Sequence, residues 1–274
     1  MAQSRRNRTL DNLPRWSDGP VVYWMQRDMR IWDNWALLHA ADTARKLHVP
    51  LTACFALPPS FLGATLRAYD FLLQGLQEVE RDLRRLNIPF LLLEGNPPDE
   101  ICRLAGRLHP ALLVTDFNSL RLVTAWKTGV ATCVDVQMTE TDAHNVVPAW
   151  VASDHQEWSA ATLRRKLGRL LQTWLVDIPT LHAFPGTLLP PPVDWSPVAA
   201  VLRRDRATHP LVRTGNACRH AQAHVLLRRG PARLRQSSQR PDSTGNVHAV
   251  TLAALRPGQR TARRPRSTAL GRTG

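Results

Sequence analysis

Short apolar runs rich in β-forming residues alternate with amphipathic stretches over the first 140 residues. Val21-Val22-Tyr23-Trp24-Met25 reads as a buried strand, and Asp33-Asn34 offers an N-cap to a helix that opens at Trp35-Ala36-Leu37-Leu38 and runs to about His48. Residues 50–56 read as a second strand. Leu72, Leu76, Val79, Leu83 and Leu86 then recur at helical spacing with charges between them, which predicts a long helix over 66–86. Strands at 88–93, 111–115 and 132–136, separated by helices at 99–108 and 120–127, complete the pattern. Five strands alternating with helices predict an α/β fold built on a five-stranded parallel sheet covered on both faces, because right-handed crossovers place helices there. Such sheets bind ligands at the carboxyl ends of their strands.

After Asp142 the strand rhythm stops. A helix is expected over 160–175; Pro179, Pro185, Pro190, Pro191 and Pro192 then mark an extended linker, and Val193-Asp194-Trp195 begins a short helical piece reaching Arg206. The expected divisions are an N-terminal extension at 1–19, the α/β domain at 20–178, the linker and the start of that helix at 179–206, and a tail at 207–274.

Composition changes the picture at the tail. Residues 207–274 contain no Phe, Trp or Tyr, and hold thirteen Arg, no Lys and a single acid, Asp242, so they carry +12 of the chain's formal +14. Without aromatics the tail lacks the largest contributors to burial and is expected to be disordered. The high pI therefore reports the tail, the first 206 residues being only about +2, and the global charge is no evidence of function. Cys54, Cys102, Cys133 and Cys218 are widely spaced, without a zinc pattern, and are expected to be free thiols, the first three buried. No apolar run reaches the roughly 20 residues that span a bilayer, and the basic start has no hydrophobic region behind it, so a soluble, cytoplasmic protein without a membrane partner is expected.

No glycine-rich phosphate loop follows the first strand; the sequence there is Gln26-Arg27-Asp28-Met29-Arg30, which argues against a dinucleotide-binding or P-loop protein. Arg27, Asp28 and Arg30 either meet an anionic ligand or brace their own loop as an ion-pair network. Thr139 to Pro148 carries Glu140, Asp142 and His144; a hydrogen-bonded structural loop is favoured over a metal or acid/base site, and no metal is expected. Arg164-Arg165-Lys166 reads as a phosphate contact or, more simply, as a solvated helix face.

Two blocks carry a family resemblance. Tyr23-Trp24-Met25-Gln26-Arg27-Asp28-Met29-Arg30, followed by Asp33-Asn34-Trp35-Ala36-Leu37, resembles the opening of class II cyclobutane pyrimidine dimer photolyases. Asp142-Ala143-His144-Asn145-Val146-Val147-Pro148-Ala149-Trp150-Val151-Ala152-Ser153-Asp154, continuing through Gln156-Glu157 and Thr162-Leu163-Arg164, is similar to the stretch that closes the α/β domain of that family; His155 departs from its Lys. The resemblance covers roughly Arg8 to Arg206. It implies a deoxyribodipyrimidine photo-lyase, a carbon–carbon lyase that repairs UV-damaged DNA by light-driven electron transfer from reduced FAD, with no obligate protein partner. It also implies that this chain supplies the antenna-type domain, in which Met25, Arg27, Asp28, Arg30, Phe55 and Asp116 at the carboxyl edge would hold an 8-hydroxy-deazaflavin or folate chromophore. No catalytic residue and none of the flavin-binding residues is placed on the chain.

The tail fits that family out of frame. Codons exist for Ala254 to Gln259 whose one-base offset reads His-Phe-Gly-Gln-Val; Ser238 to Pro241 likewise gives Arg-Asn-Asp-Pro, and Ala249 to Thr251 gives Leu-Ser-Pro. Photolyases carry similar stretches, in this order, where their helical domain begins. A single-base shift between Arg206 and Pro210 is therefore expected, which would leave a truncated, inactive product. The competing expectation is a stand-alone chromophore- or nucleotide-binding module with a basic tail for nucleic acid.

Overall fold

The computed structural model describes residues 2–10, 17–185 and 189–196. The tail at 207–274, and the helical piece expected to reach Arg206, lie outside the described residues beyond residue 196.

The strands are β1 (Asn7–Thr9), β2 (Val21–Trp24), β3 (Leu51–Leu57), β4 (Phe90–Glu94), β5 (Leu112–Asp116) and β6 (Met138–Thr141). The helices are α1 (Trp35–Leu47), α2 (Leu66–Arg85), α3 (Pro97–Leu108), α4 (Arg121–Cys133), the short α5 (Ala149–Ala152) and α6 (Ala160–Trp174). The sheet runs β1-β6-β5-β2-β3-β4; every pairing is parallel except β1 with β6. Among the described helices none is long and apolar enough to cross a membrane.

Alternation along β2 builds two cores. Val21 and Tyr23 join Leu37, Leu76 and Leu83 on the face covered by α1 and α2. Val22 and Trp24 join Ile101, Leu104 and Val130 on the face covered by α3 and α4. Each such side chain contributes roughly 1.5–3 kcal/mol when fully buried, so both faces are anchored by the same four-residue strand. Asn34 caps α1: its Oδ1 accepts Leu37 N–H at 3.0 Å, while Nδ2 donates to Tyr23 Oη and to the carbonyls of Asp28 and Arg30.

The sheet has six strands, not five. The sixth comes from the expected N-terminal extension, where Asn7, Arg8 and Thr9 pair antiparallel with Thr141, Glu140 and Thr139. Arg6 locks it in place: its buried guanidinium donates to the carbonyls of Asp142, Asn145 and Val146 and lies 4.9 Å from the Trp35 ring and 5.0 Å from that of Trp174. The strand expected at 132–136 is also displaced. Residues to Cys133 continue α4, and the strand is the polar Met138–Thr141, buried because Glu140 is neutralised by Arg8 and Lys127. Val134 and Val136, the β-formers that suggested a strand, are buried in the turn before it.

The cysteine expectation is also corrected. Cys102 of α3 and Cys133 of α4 form a disulfide, with Cα atoms 6.2 Å apart, because the two helices lie side by side. Cys54 is the free buried thiol among the described residues, and burial pushes its pKa up. Cys218 lies outside the described residues.

The proline-rich stretch is docked on the domain rather than free of it. Leu181 and Phe184 are buried in the α1/α2 core, and Glu80 of α2 accepts from Val193 N–H and Trp195 Nε1, each at 2.7 Å. Residues 193–195 are not helical.

Candidate functional site

The strand order reverses between β2 and β5, so the connections leaving these two neighbours run to opposite sides of the sheet. A crevice must open there at the carboxyl ends. One carboxylate organises it. Asp116, the last residue of β5, accepts the Tyr23 hydroxyl at 2.6 Å through Oδ1, and through Oδ2 accepts the backbone N–H groups of Gln26, Arg27 and Asp28 at 2.9, 3.0 and 3.1 Å. The loop after β2 is thereby wrapped around a buried carboxylate, which takes up the main-chain donors that such a loop could otherwise offer to an anionic ligand.

Burial raises the Asp116 pKa to about 6, and the nearby charge of Asp28 adds to the rise, while the Tyr23 and backbone hydrogen bonds pull it back. The same burial, with the charges of Asp116 and Asp28, drives the Tyr23 pKa well up, so Tyr23 remains a neutral donor. Asp28 pairs with Arg30, which also donates to the carbonyls of Asp33 and Ala143; His144 Nδ1 lies 3.8 Å from Asp28. The bracing interpretation of this loop therefore describes its contacts.

Beside this network lies a cavity of about 270 Å³ over the carboxyl edge. Met25, Gln26 and Met29 after β2 form one wall and Phe55 of β3 another; Phe61, Tyr69 of α2 and Trp126 of α4 supply further aromatic surface. The Phe61 and Trp126 rings are 5.9 Å apart and inclined at 51°, leaving an aromatic wedge. The lining carries no charged side chain, and its side-chain amides are Gln26 and Asn118. Flat apolar walls with one or two placed polar groups suit a planar ring system.

Of the six expected site residues, Met25 and Phe55 line the cavity. Arg27, Asp28, Arg30 and Asp116 do not; they build the loop behind it, Arg27 and Asp28 by donating backbone N–H groups to the Asp116 carboxylate and Arg30 by pairing with Asp28. The expectation missed Gln26, Phe61, Tyr69 and Trp126. Gln26 sits between two of the residues selected but carries no charge to draw attention, and Trp126 is marked only by its apolar spacing from Val123. Among the described residues no cluster of His, Cys, Asp and Glu could hold a metal ion. Asp142 instead accepts from the main chain of His144, Asn145 and Ala149, as the structural-loop interpretation expects. Lys166 pairs with Glu157 and Ser153.

A family model described as DNA photolyase matches residues 21–186. The chain is 43% identical over 190 residues to the deoxyribodipyrimidine photo-lyase of Potorous tridactylus, covering 68% of this chain and 36% of that protein. It is 39% identical over 198 residues to the Arabidopsis thaliana enzyme of the same name, covering 70% and 40%. Among solved structures, an archaeal photolyase from Sulfolobus tokodaii, described with two FAD molecules and the implication of a novel light-harvesting cofactor, superposes with a TM-score of 0.57 at 13% identity. The match covers 77% of this chain and 46% of that one. The chain thus spans well under half the length of these curated relatives.

Proposed function

The chain belongs to the DNA photolyase family, and we propose that it supplies the light-harvesting α/β domain of a class II deoxyribodipyrimidine photo-lyase acting on cyclobutane pyrimidine dimers in UV-damaged DNA. In that reaction reduced FAD lends one electron to the dimer and recovers it once the ring has split. The described residues serve an earlier step, holding an antenna chromophore of the 8-hydroxy-deazaflavin or folate type at the carboxyl edge of the sheet. The observation that carries this reading is the aromatic-walled cavity beside Met25 and Phe55. At about 270 Å³ it fits a ring system rather than a whole dinucleotide.

Within this reading each residue has a physical task. Phe61, Tyr69 and Trp126 offer faces on which a flat ring stacks and from which water is excluded. Asp116 fixes the loop carrying Met25 and Gln26 by taking three of its N–H groups, so the wall is preorganised. Of the six residues expected from the sequence, we propose Met25 and Phe55 for chromophore contact beside these aromatics, with Arg27, Asp28, Arg30 and Asp116 acting behind them.

We further propose that residues 207–274 are an out-of-frame reading of a helical domain and that the protein resides in the cytoplasm. The aromatic blank and the thirteen Arg without Lys support the shifted frame. Nucleotide sequence across codons 200–274 and beyond tests it: the offset frame is expected to continue as an open helical-domain sequence, and rapid closure of that frame would overturn the proposal. The purified chain is then expected to leave dimers unrepaired under light, and repair would refute its inactivity. Salt-sensitive DNA binding that vanishes on removal of residues 207–274 would favour a basic nucleic-acid-binding module instead.

A further inference from the structure

The loop between β3 and α2 crosses the edge of the sheet. It leads into α2, on the face that α1 and α2 cover, yet its Phe61 reaches Trp126 of α4, which packs on the opposite face. Phe61, Ala64 and Trp126 all line the cavity, so the ring contact bridges the two faces over the carboxyl ends of the strands. The base of this loop is fixed: Tyr69 donates its hydroxyl to Pro58 O at 3.0 Å, and Thr65 caps α2. Its tip is not. Among the described residues, 59–64 make no hydrogen bond or ion pair to another element. Within the tip, Phe61 O accepts Ala64 N–H at 2.7 Å around Leu62 and Gly63, whose φ angles are +47° and +72°. Two successive positive φ values are those of a type I′ turn, whose preferred pair is Asn-Gly. Leu62 holds this conformation with its side chain 67% exposed, so burial does not offset the strain of a Cβ there.

We propose that residues 60–64 form a gate over the cavity, closed by Phe61 against Trp126 and opened when the strained Leu62–Gly63 turn unwinds, so that the turn sets how fast a ring enters and leaves. The inference rests on the cavity being a chromophore site. A strained tip on a fixed base lies close in free energy to its open form, because unwinding relaxes Leu62 and gives up one backbone hydrogen bond and one ring contact. A side chain that only walls a site acts on release of the ligand, whereas one that bars the way acts on entry as well. A change that steadies the closed turn in the free and the bound protein alike slows both directions and leaves the affinity where it was.

Stopped-flow fluorescence of the full chain with 8-hydroxy-5-deazariboflavin reads both rate constants. Leu62→Asn leaves every cavity-lining side chain in place and completes the Asn-Gly pair. It is expected to lower the association and dissociation rate constants together, each at least about threefold, with Kd within about twofold of the unaltered chain. Phe61→Ala, which removes the bar itself, is expected to raise the association rate constant at least about threefold. Unchanged association in Leu62→Asn would overturn the gate while leaving the cavity as a ring-binding site. So would a change in its Kd carried by dissociation alone, or unchanged association in a folded Phe61→Ala. Where Phe61→Ala unfolds, Leu62→Asn decides by itself, because its side chain is solvent-facing. No binding by the unaltered chain would overturn the chromophore site and this inference with it.

Discussion

Tyr23 and Asp116, on neighbouring parallel strands, share a 2.6 Å hydrogen bond in which the phenol donates to a carboxylate fully removed from solvent. The second oxygen of that carboxylate gathers three main-chain N–H groups, so the bond closes the switch point of the sheet and shapes the loop that walls the cavity. Five expectations follow from this arrangement and from the contacts around it.

Asp116 should impose an unusual pH dependence. Its folded-state pKa of about 6 lies above the unfolded value, so the folded protein binds the proton more readily between pH 4 and pH 6. The contribution of this group to stability is thus fully present below pH 4 and falls as pH rises through 6. Asp116→Asn should remove that slope, and also lower stability at pH 7 by about 2–4 kcal/mol, since the amide cannot accept all four bonds. Urea unfolding of both proteins between pH 4 and pH 7.5 measures the difference; parallel curves would contradict the assignment.

Arg6 should matter far more than its place in a polar N-terminal segment suggests. Burial lowers its pKa to about 10, yet it stays charged at neutral pH and satisfies three carbonyls between two indole rings. Arg6→Ala should cost about 2–4 kcal/mol by stranding those carbonyls, and Arg6→Lys should recover only part, because an ammonium lacks the planar fork. Denaturant midpoints of the two variants check the order.

Glu80 should tether the proline-rich segment. Its two oxygens accept from Val193 N–H and Trp195 Nε1, and Trp195 stacks on Phe90 with ring centres 6.4 Å apart. Glu80→Ala is expected to lower stability by about 1–3 kcal/mol and to speed proteolytic cleavage between residues 186 and 196. Time courses of limited proteolysis, with cleavage sites read by mass spectrometry, would reveal it.

The Cys102–Cys133 disulfide closes a loop of 31 residues in sequence separation and should contribute about 2–4 kcal/mol, chiefly by restricting the unfolded chain. Dithiothreitol should lower the unfolding midpoint of the unaltered protein and leave that of a Cys102→Ser/Cys133→Ser variant unmoved.

Much of the fold was legible because its strands are apolar and its helices periodic. Val21 to Met25, the α1 cap at Asn34 and the leucine stripe of α2 each carried a local signal that tertiary packing reinforced. Where local signal and packing diverge, the sequence misleads. Glu140 and its neighbouring threonines form a buried strand only because Arg8, 132 residues away in the chain, and Lys127 of the preceding helix both close on the carboxylate, and no local pattern shows that the two meet there. The site was legible at the level of which strand ends converge. It was not legible at the level of which side chains face the cavity: charge drew attention to Arg27, Asp28 and Arg30, whereas the wall is made by uncharged Gln26 and by aromatics from α2, α4 and the loop containing Phe61.

The most direct measurement is a titration of the full chain with 8-hydroxy-5-deazariboflavin, read as quenching of ligand fluorescence, beside the same titration of Ala68→Trp, which places an indole at a cavity-lining position on the first turn of α2. The account expects saturation at one ligand per chain and at least about tenfold weaker binding by the variant. Binding that never saturates, or that is equal in the two proteins, would contradict the claim that this cavity holds the chromophore.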